Sequence, residues 1–200
     1  INTWNTYAPF DNIGKVHECA AILSRYPILK HEAQVYTFDP QHKNSILNMC
    51  FRLFVWQSPI QYAQIAFQDK KLNVFNLHLD VFDRNNRVLQ TKRLIDWIKQ
   101  SGRTDNLIFG GDLNYHAELG RDKKTDFKGY SPNAEHLPPF FQNVWQDLPG
   151  IQEAFIDAHS NREQIHQQVT FPELNKRHDF IFFSSDFQPI SSTVIKTISS

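Results

Sequence analysis

A chain of 200 residues with 40% apolar content can bury one sizeable core, so a single α/β domain is the simplest expectation. Its formal net charge is zero, with 21 basic and 21 acidic side chains, which argues against a dedicated nonspecific nucleic-acid binder while leaving room for a local basic groove. Cys19 and Cys50 each sit in an apolar, strand-like run and read as buried thiols rather than a disulfide framework, and no apolar run is long enough for a membrane span.

The chain begins at Ile1 rather than Met, consistent with a removed leader or upstream segment, and the compartment stays open. Residues 1–18 mix Asn, Thr, Pro, Gly and aromatics and read as irregular. A strand is expected at Ala20-Ala21-Ile22-Leu23-Ser24, ended at Arg25-Tyr26-Pro27 because the residue before proline is pushed to extended geometry. Further strands are expected over 33–38, 46–56 and 60–68. In the last, Ile60, Tyr62, Gln64 and Ala66 share one face, and Gln61, Ala63, Ile65 and Phe67 the other.

Residues 72–80 form another strand, ending in His78 and Asp80. The period then changes. Val88, Thr91, Leu94, Ile95 and Ile98 fall at helical spacing over 86–100, with Arg87, Gln90, Lys92, Arg93 and Lys99 largely on other faces and Gly102 as a stop. A strand over 106–111 completes a β-α-β unit. Residues 117–135 read as a long surface loop. Helices are expected from Pro138 to Leu148 and from Ile151 to His159, then strands over 179–183 and 190–198.

Polar residues gather at the strand ends. Leu107 to Asn114 reads as an apolar strand that breaks at Gly110-Gly111 and presents Asp112 and Asn114. In open α/β sheets ligands bind outside the carboxyl ends of strands. A carboxylate beside a neutral amide suits phosphate chemistry, since one can hold a metal or orient water while the other bonds a phosphoryl oxygen without repelling it. Structural roles stay open for each residue: His78 as a satisfied core histidine, Asp80 and Asp179 as turn or cap residues, Asn114 in a left-handed turn, His116 and His178 in solvent.

Taken in order, these pieces resemble the endonuclease/exonuclease/phosphatase superfamily of metal-dependent phosphoesterases. Ala21-Ile22-Leu23-Ser24-Arg25-Tyr26-Pro27-Ile28 is similar to its "AILSRxPI" strand, and Asn76-Leu77-His78-Leu79-Asp80 to its "NxHLD" strand, with Arg87 and Gln90 fitting the helix that follows. Gly111-Asp112-Leu113-Asn114 matches "GDxN". Thr170-Phe171-Pro172 with Arg177-His178-Asp179-Phe180-Ile181-Phe182 resembles "TFP … RxDYIF". The resemblance covers about residues 19–198 and rests on five motifs in family order.

It implies two packed mixed β-sheets flanked by helices, a four-layer αββα sandwich, incomplete at both ends of this chain. It also implies hydrolysis of a phosphodiester or phosphomonoester by an activated water. Asp112 would activate that water or help hold a Mg²⁺ or Mn²⁺ ion, and Asn114 would bond the scissile phosphate. His78 would contact a phosphoryl oxygen or act as an acid near the leaving group, and Tyr115 would join it and Asn114 in binding substrate. Asp179 would orient a catalytic histidine. Substrate contacts are expected from the loop of Arg121 to Lys128 and from Thr170-Phe171-Pro172.

Two family elements are missing. The first is the early asparagine strand and the "QE" strand whose glutamate binds metal. Thr3-Trp4-Asn5 and His17-Glu18 echo them, making Glu18 a candidate metal ligand, but the spacing leaves no room for the usual intervening helix and the same residues read as the loop before the "AILSR" strand. The second is the terminal "SDH", expected about where the chain stops at Ser199-Ser200.

The leading expectation is thus a phosphoesterase acting on a phosphate-ester substrate whose class (nucleic acid, phospholipid or inositol phosphate) the motifs do not separate, and no partner protein is inferred. The alternative is a catalytically degenerate relative acting as a binding or scaffold module. A mononuclear zinc hydrolase built on His78, His116 and His178 ranks last, because no two of these have the short local spacing of a zinc motif.

Overall fold

Alternating residues along neighbouring strands, with apolar side chains on both faces of β4, followed by a helical stripe, place two differently covered faces on one sheet. The computed structural model describes residues 2–7, 19–36, 58–80, 84–114, 144, 146–154, 170 and 178–193. Among these, β1 (Asn2–Tyr7) pairs antiparallel with β2 (Cys19–Ser24) in a two-stranded sheet. A six-stranded mixed sheet holds β3 (Ile28–Tyr36), β4 (Ser58–Phe67), β5 (Lys70–His78), β6 (Leu107–Asp112), β7 (Gln152–Glu153) and β8 (Asp179–Phe183) in the order β3-β4-β5-β6-β8-β7. Every pairing is antiparallel except β5 with β6, which α1 (Arg84–Gln100) connects. A parallel pair needs such a crossover because its second strand must restart at the same edge.

One face of the large sheet lies under α1. Ile60, Tyr62, Phe75, Leu77, Leu107, Phe109, Phe180 and Phe182 form its core with Leu94, Ile95 and Ile98 of the helix. Rings lock the centre: Tyr62 and Phe75 lie 4.9 Å apart, Phe75 meets Trp97 edge-on at 5.1 Å, and Phe109 stacks on Phe182 at 4.9 Å. Each fully buried Phe contributes about 1.5–3 kcal/mol relative to exposure. The opposite face meets β2, where Ile22 packs with Ala63 and Ile65. The alternation expected over 60–67 therefore holds, one set facing the helix and the other the small sheet.

Helix α1 ends in a Schellman motif, with Arg103 N–H donating to Ile98 O, Gly102 N–H to Lys99 O, and Gly102 at φ 64°, so Gly102 is the stop the spacing predicts. Val144 and Leu148, in the helix expected to end at 148, pack into the same core.

The structure corrects several expectations. Residues 2–7, read as irregular, form β1. The helix expected from Ile151 to His159 gives way at its start to β7, because Gln152 and Glu153 pair with Phe183 and Phe182 at the free edge of β8. Residues 190–193 are not strand. Strand β3 starts at Ile28, five residues before the expected 33. The strand expected over 46–56 and the loop over 117–135 lie outside the described residues. Of the four expected layers, three are built by described residues: α1, the large sheet and the small sheet.

Candidate active site

The parallel pairing of β5 with β6 sets His78 beside Asp112, and the antiparallel pairing of β6 with β8 sets Asp112 beside Asp179. Three chemistry-bearing residues thus stand in one row across three adjacent strands. The row lies at the carboxyl ends of β5 and β6, the edge where ligands bind in open α/β sheets. The imidazole Nε2 of His78 lies 3.9 Å from Oδ2 of Asp112, and both side chains are about one-third exposed (30% and 35%), so each is reachable from solvent.

Glycine makes this register possible. A Cβ on Gly110 would fall inside the contact distance of the Phe180 carbonyl oxygen, and one on Gly111 would do the same at Leu77 O. Gly111 also holds φ 131°, a conformation that L side chains rarely adopt. The double glycine therefore lets β6 approach β8 on one side and β5 on the other just before Asp112.

Beyond the row the ladder continues for one step. Leu79 N–H donates to Asp112 O at 3.0 Å, and Leu113 N–H to His178 O at 3.0 Å. Asn114 adopts φ 46° and is only 6% exposed. Its backbone N–H donates to Oδ1 of Asp112 at 2.8 Å, and its Nδ2 donates to Leu79 O at 2.8 Å. The first bond fixes the Asp112 carboxylate and turns Oδ2 toward His78. The second ties the segment after β6 to the segment after β5 and engages one of the two amide hydrogens.

On the other side of the row, the Thr170 hydroxyl oxygen accepts the backbone N–H groups of His178 at 2.9 Å and Asp179 at 3.2 Å. Thr170, the first residue of the Thr-Phe-Pro segment, thus braces the start of β8. His178, expected in solvent, is buried at 7% exposure.

The structure therefore brings together His78, Asp112, Asn114 and Asp179. Tyr115, His116, Glu18, the loop from Arg121 to Lys128 and residues 171–172 lie outside the described residues. Sequence reasoning missed Asn86 and placed Gln90 off the apolar stripe, naming it only as fitting the helix after the "NxHLD" strand; both are buried, at 5% and 6% exposure, on the first turns of α1. The signal was present for Gln90: it stands four residues before Leu94, on the apolar stripe rather than off it.

Asp112 Oδ2 is an anionic oxygen of the kind a hard divalent cation takes. Among the described residues no three His, Cys, Asp or Glu side chains converge as a ligand cluster. The Asp112 carboxylate is compatible with Mg²⁺ or Mn²⁺, since a hard ion of the Mg²⁺ type is usually held by one or two carboxylates, with water and substrate phosphate filling the remaining positions.

The fold, a helix-bridged parallel pair inside an otherwise antiparallel sheet with a second sheet on its far face, is shared with solved structures that include an endonuclease/exonuclease/phosphatase family protein. The chain is similar to truncated TDP2 of Caenorhabditis elegans (TM-score 0.54, 18% identity, covering 94% of this chain and 63% of that chain). It is also similar to an endonuclease/exonuclease/phosphatase family protein of Bacteroides thetaiotaomicron (0.52, 15%, 92% and 59%). A mannosyl-6-phosphatase of the same bacterium is a third (0.54, 15%, 93% and 64%). The chain spans less than two thirds of the length of each of these proteins. No protein-family model matches the sequence, and no curated protein matches it.

Proposed function

We propose that this chain is a phosphoesterase of the endonuclease/exonuclease/phosphatase superfamily, hydrolysing a phosphodiester or phosphomonoester with an activated water. The observation that carries the reading is the row of His78, Asp112 and Asp179 at one sheet edge, with Asn114 locking the carboxylate. The similar solved structures support it through their shared fold, and one of them is a mannosyl-6-phosphatase.

Asp112 orients the attacking water and takes up its proton on Oδ2, the oxygen left open by the Asn114 N–H. His78, on the neighbouring strand, reaches a phosphoryl oxygen or the leaving-group oxygen and supplies a hydrogen bond or a proton there. Asn114 offers its remaining amide hydrogen to the phosphate as charge builds in the transition state, without adding a negative charge beside it. Asp179, on β8 opposite Asp112, orients a histidine supplied from elsewhere in the protein, and Tyr115 contacts substrate. Asp112 with Glu18 would hold Mg²⁺ or Mn²⁺, which when bound polarises phosphoryl oxygens and lowers the pKa of water.

The test is a hydrolysis panel with Mg²⁺ or Mn²⁺ against plasmid DNA, RNA, sphingomyelin, inositol phosphates and a hexose 6-phosphate. Asp112→Asn should lower kcat/KM by a factor of about 10³ or more on whichever substrate turns over, with an unchanged circular-dichroism spectrum. An Asp112→Asn protein as active as wild type overturns the assignment. Binding without turnover by the wild-type chain would favour the scaffold reading.

A further inference from the structure

Strand β5 delivers His78 and then leaves the sheet, and the two residues that follow are held with unusual completeness. Leu79 N–H bonds Asp112 O and Leu79 O accepts Asn114 Nδ2. Asp80 N–H donates to Gln90 Oε1 at 2.9 Å, and Asp80 O accepts Arg87 Nη1 at 2.8 Å. Even the Asp80 carboxylate is engaged, its Oδ2 accepting Asn86 Nδ2 at 3.0 Å. Both backbone groups of both residues thus have a named partner.

Three of these partners come from the first turns of α1. Asn86 and Gln90 are four residues apart and so lie one above the other on a single helix face, with Arg87 beside them. That face is buried. A helix packed on a sheet ordinarily presents aliphatic residues there, as α1 does at Leu94, Ile95 and Ile98. Burying two amides in their place is unfavourable unless their bonds are made, and the bonds are made to the residues just past His78. The same helix spans the gap between β5 and β6. Its polar first turns and apolar last turns therefore anchor the two strands that carry His78 and Asp112.

We propose that Gln90, with Asn86 and Arg87, is a positioning cluster that sets the exit angle of the chain after His78 and so the placement of the imidazole against Asp112. Gln90 and Arg87 act through the backbone of Asp80, and Asn86 through its carboxylate. The inference rests on the phosphoesterase reading for its kinetic consequence, but its structural part stands independently. Gln90 is the discriminating member, because the Asp80 N–H needs an acceptor. Gln90→Met keeps volume and removes the acceptor, whereas Gln90→Glu keeps an acceptor oxygen.

The experiment follows the His78 ring signals by ¹H–¹⁵N NMR at a fixed neutral pH in the full chain, assigned with His78→Gln, and uses His31 on β3 as the internal reference. Gln90→Met should move the His78 ring signals and leave those of His31 in place, and Gln90→Glu should return them toward wild type. On a turned-over phosphate ester, Gln90→Met should lower kcat about tenfold or more with KM changed less than threefold, the pattern of a misplaced reacting group. Unmoved His78 signals in a folded Gln90→Met protein overturn the proposal, whatever the activity. A wild-type chain that hydrolyses nothing while its His78 signals still respond to Gln90 overturns the phosphoesterase reading and leaves the positioning role standing. Should Gln90→Met not fold, Asn86→Ser, which shortens one arm of the same clamp, is judged by the same His78 criterion.

Discussion

At the scale of the residue, the two glycines before Asp112 do different work from the glycine that ends α1. Gly111 combines φ 131° with a space closed by Leu77 O, so a side chain there meets both backbone strain and a collision with a carbonyl. Gly102 has φ 64° and nothing within 4 Å of the position a Cβ would take. Gly111→Ala should therefore cost about 3 kcal/mol or more, and Gly102→Ala about 1 kcal/mol, in urea unfolding. Equal costs would mean that the close approach of β6 to β5 is not what demands glycine. Asn114 also holds a left-handed backbone, at φ 46°, a conformation Asn adopts more readily than most side chains, while its amide reaches across to Leu79 O.

At the scale of the element, the edge of the large sheet is pinned to the end of α1 by charge. Arg103, just past the helix, donates through both Nη atoms to Glu32 of β3 at 3.0 and 2.7 Å, and its guanidinium lies 3.7 Å from the centre of the Tyr62 ring. The hydrogen bonds from Arg103, reinforced by Lys30, pull the Glu32 carboxyl from its ordinary 4.5 down to about 2. A depressed carboxylate stabilises the fold fully above its unfolded pKa and loses that contribution as pH falls through the folded one. Wild type should thus exceed Glu32→Gln in stability by about 1–2 kcal/mol at pH 7, a value reduced for solvent screening of a side chain that is 30% exposed. The gap should close between pH 4.5 and pH 2, followed by denaturant titration at each pH. A gap that persists at pH 2 would show that packing, rather than charge, is what Glu32 contributes.

At the scale of the whole molecule, the two sheets meet through a mixture of apolar packing and amide bonds. Gln61, fully buried, donates Nε2 to Ala20 O, while Asn76 Nδ2 reaches both Ala21 O and Gln61 Oε1. These bonds fix how β2 crosses the strand that ends at His78. On the helix side the aromatic cluster forms the centre of the packing. Phe75→Ala removes a 1% exposed ring in contact with Tyr62 and Trp97 and should cost about 3–5 kcal/mol by thermal or chemical unfolding. A cost under 1 kcal/mol would mean that the cluster is not the core of this sheet.

The sequence by itself determined the elements whose signal is local. Alternation over 60–67, the helical stripe of Leu94, Ile95 and Ile98 and the stop at Gly102 are periodicities or backbone requirements and are found in place. The break expected at Gly110-Gly111 is not: β6 runs through both glycines to Asp112, because each of them is paired with β5 on one side and β8 on the other. The ordered motifs also marked His78, Asp112, Asn114 and Asp179 as one group. Only the tertiary structure decided that these residues share a row, because strand register depends on partners tens of residues apart. The same non-local pairing turned 152–153 into an edge strand and 2–7 into β1, and set the Thr170 hydroxyl as a brace at the start of β8. It also buried Asn86 and Gln90, whose polarity reads as surface until the loop after His78 is seen to need their hydrogen bonds.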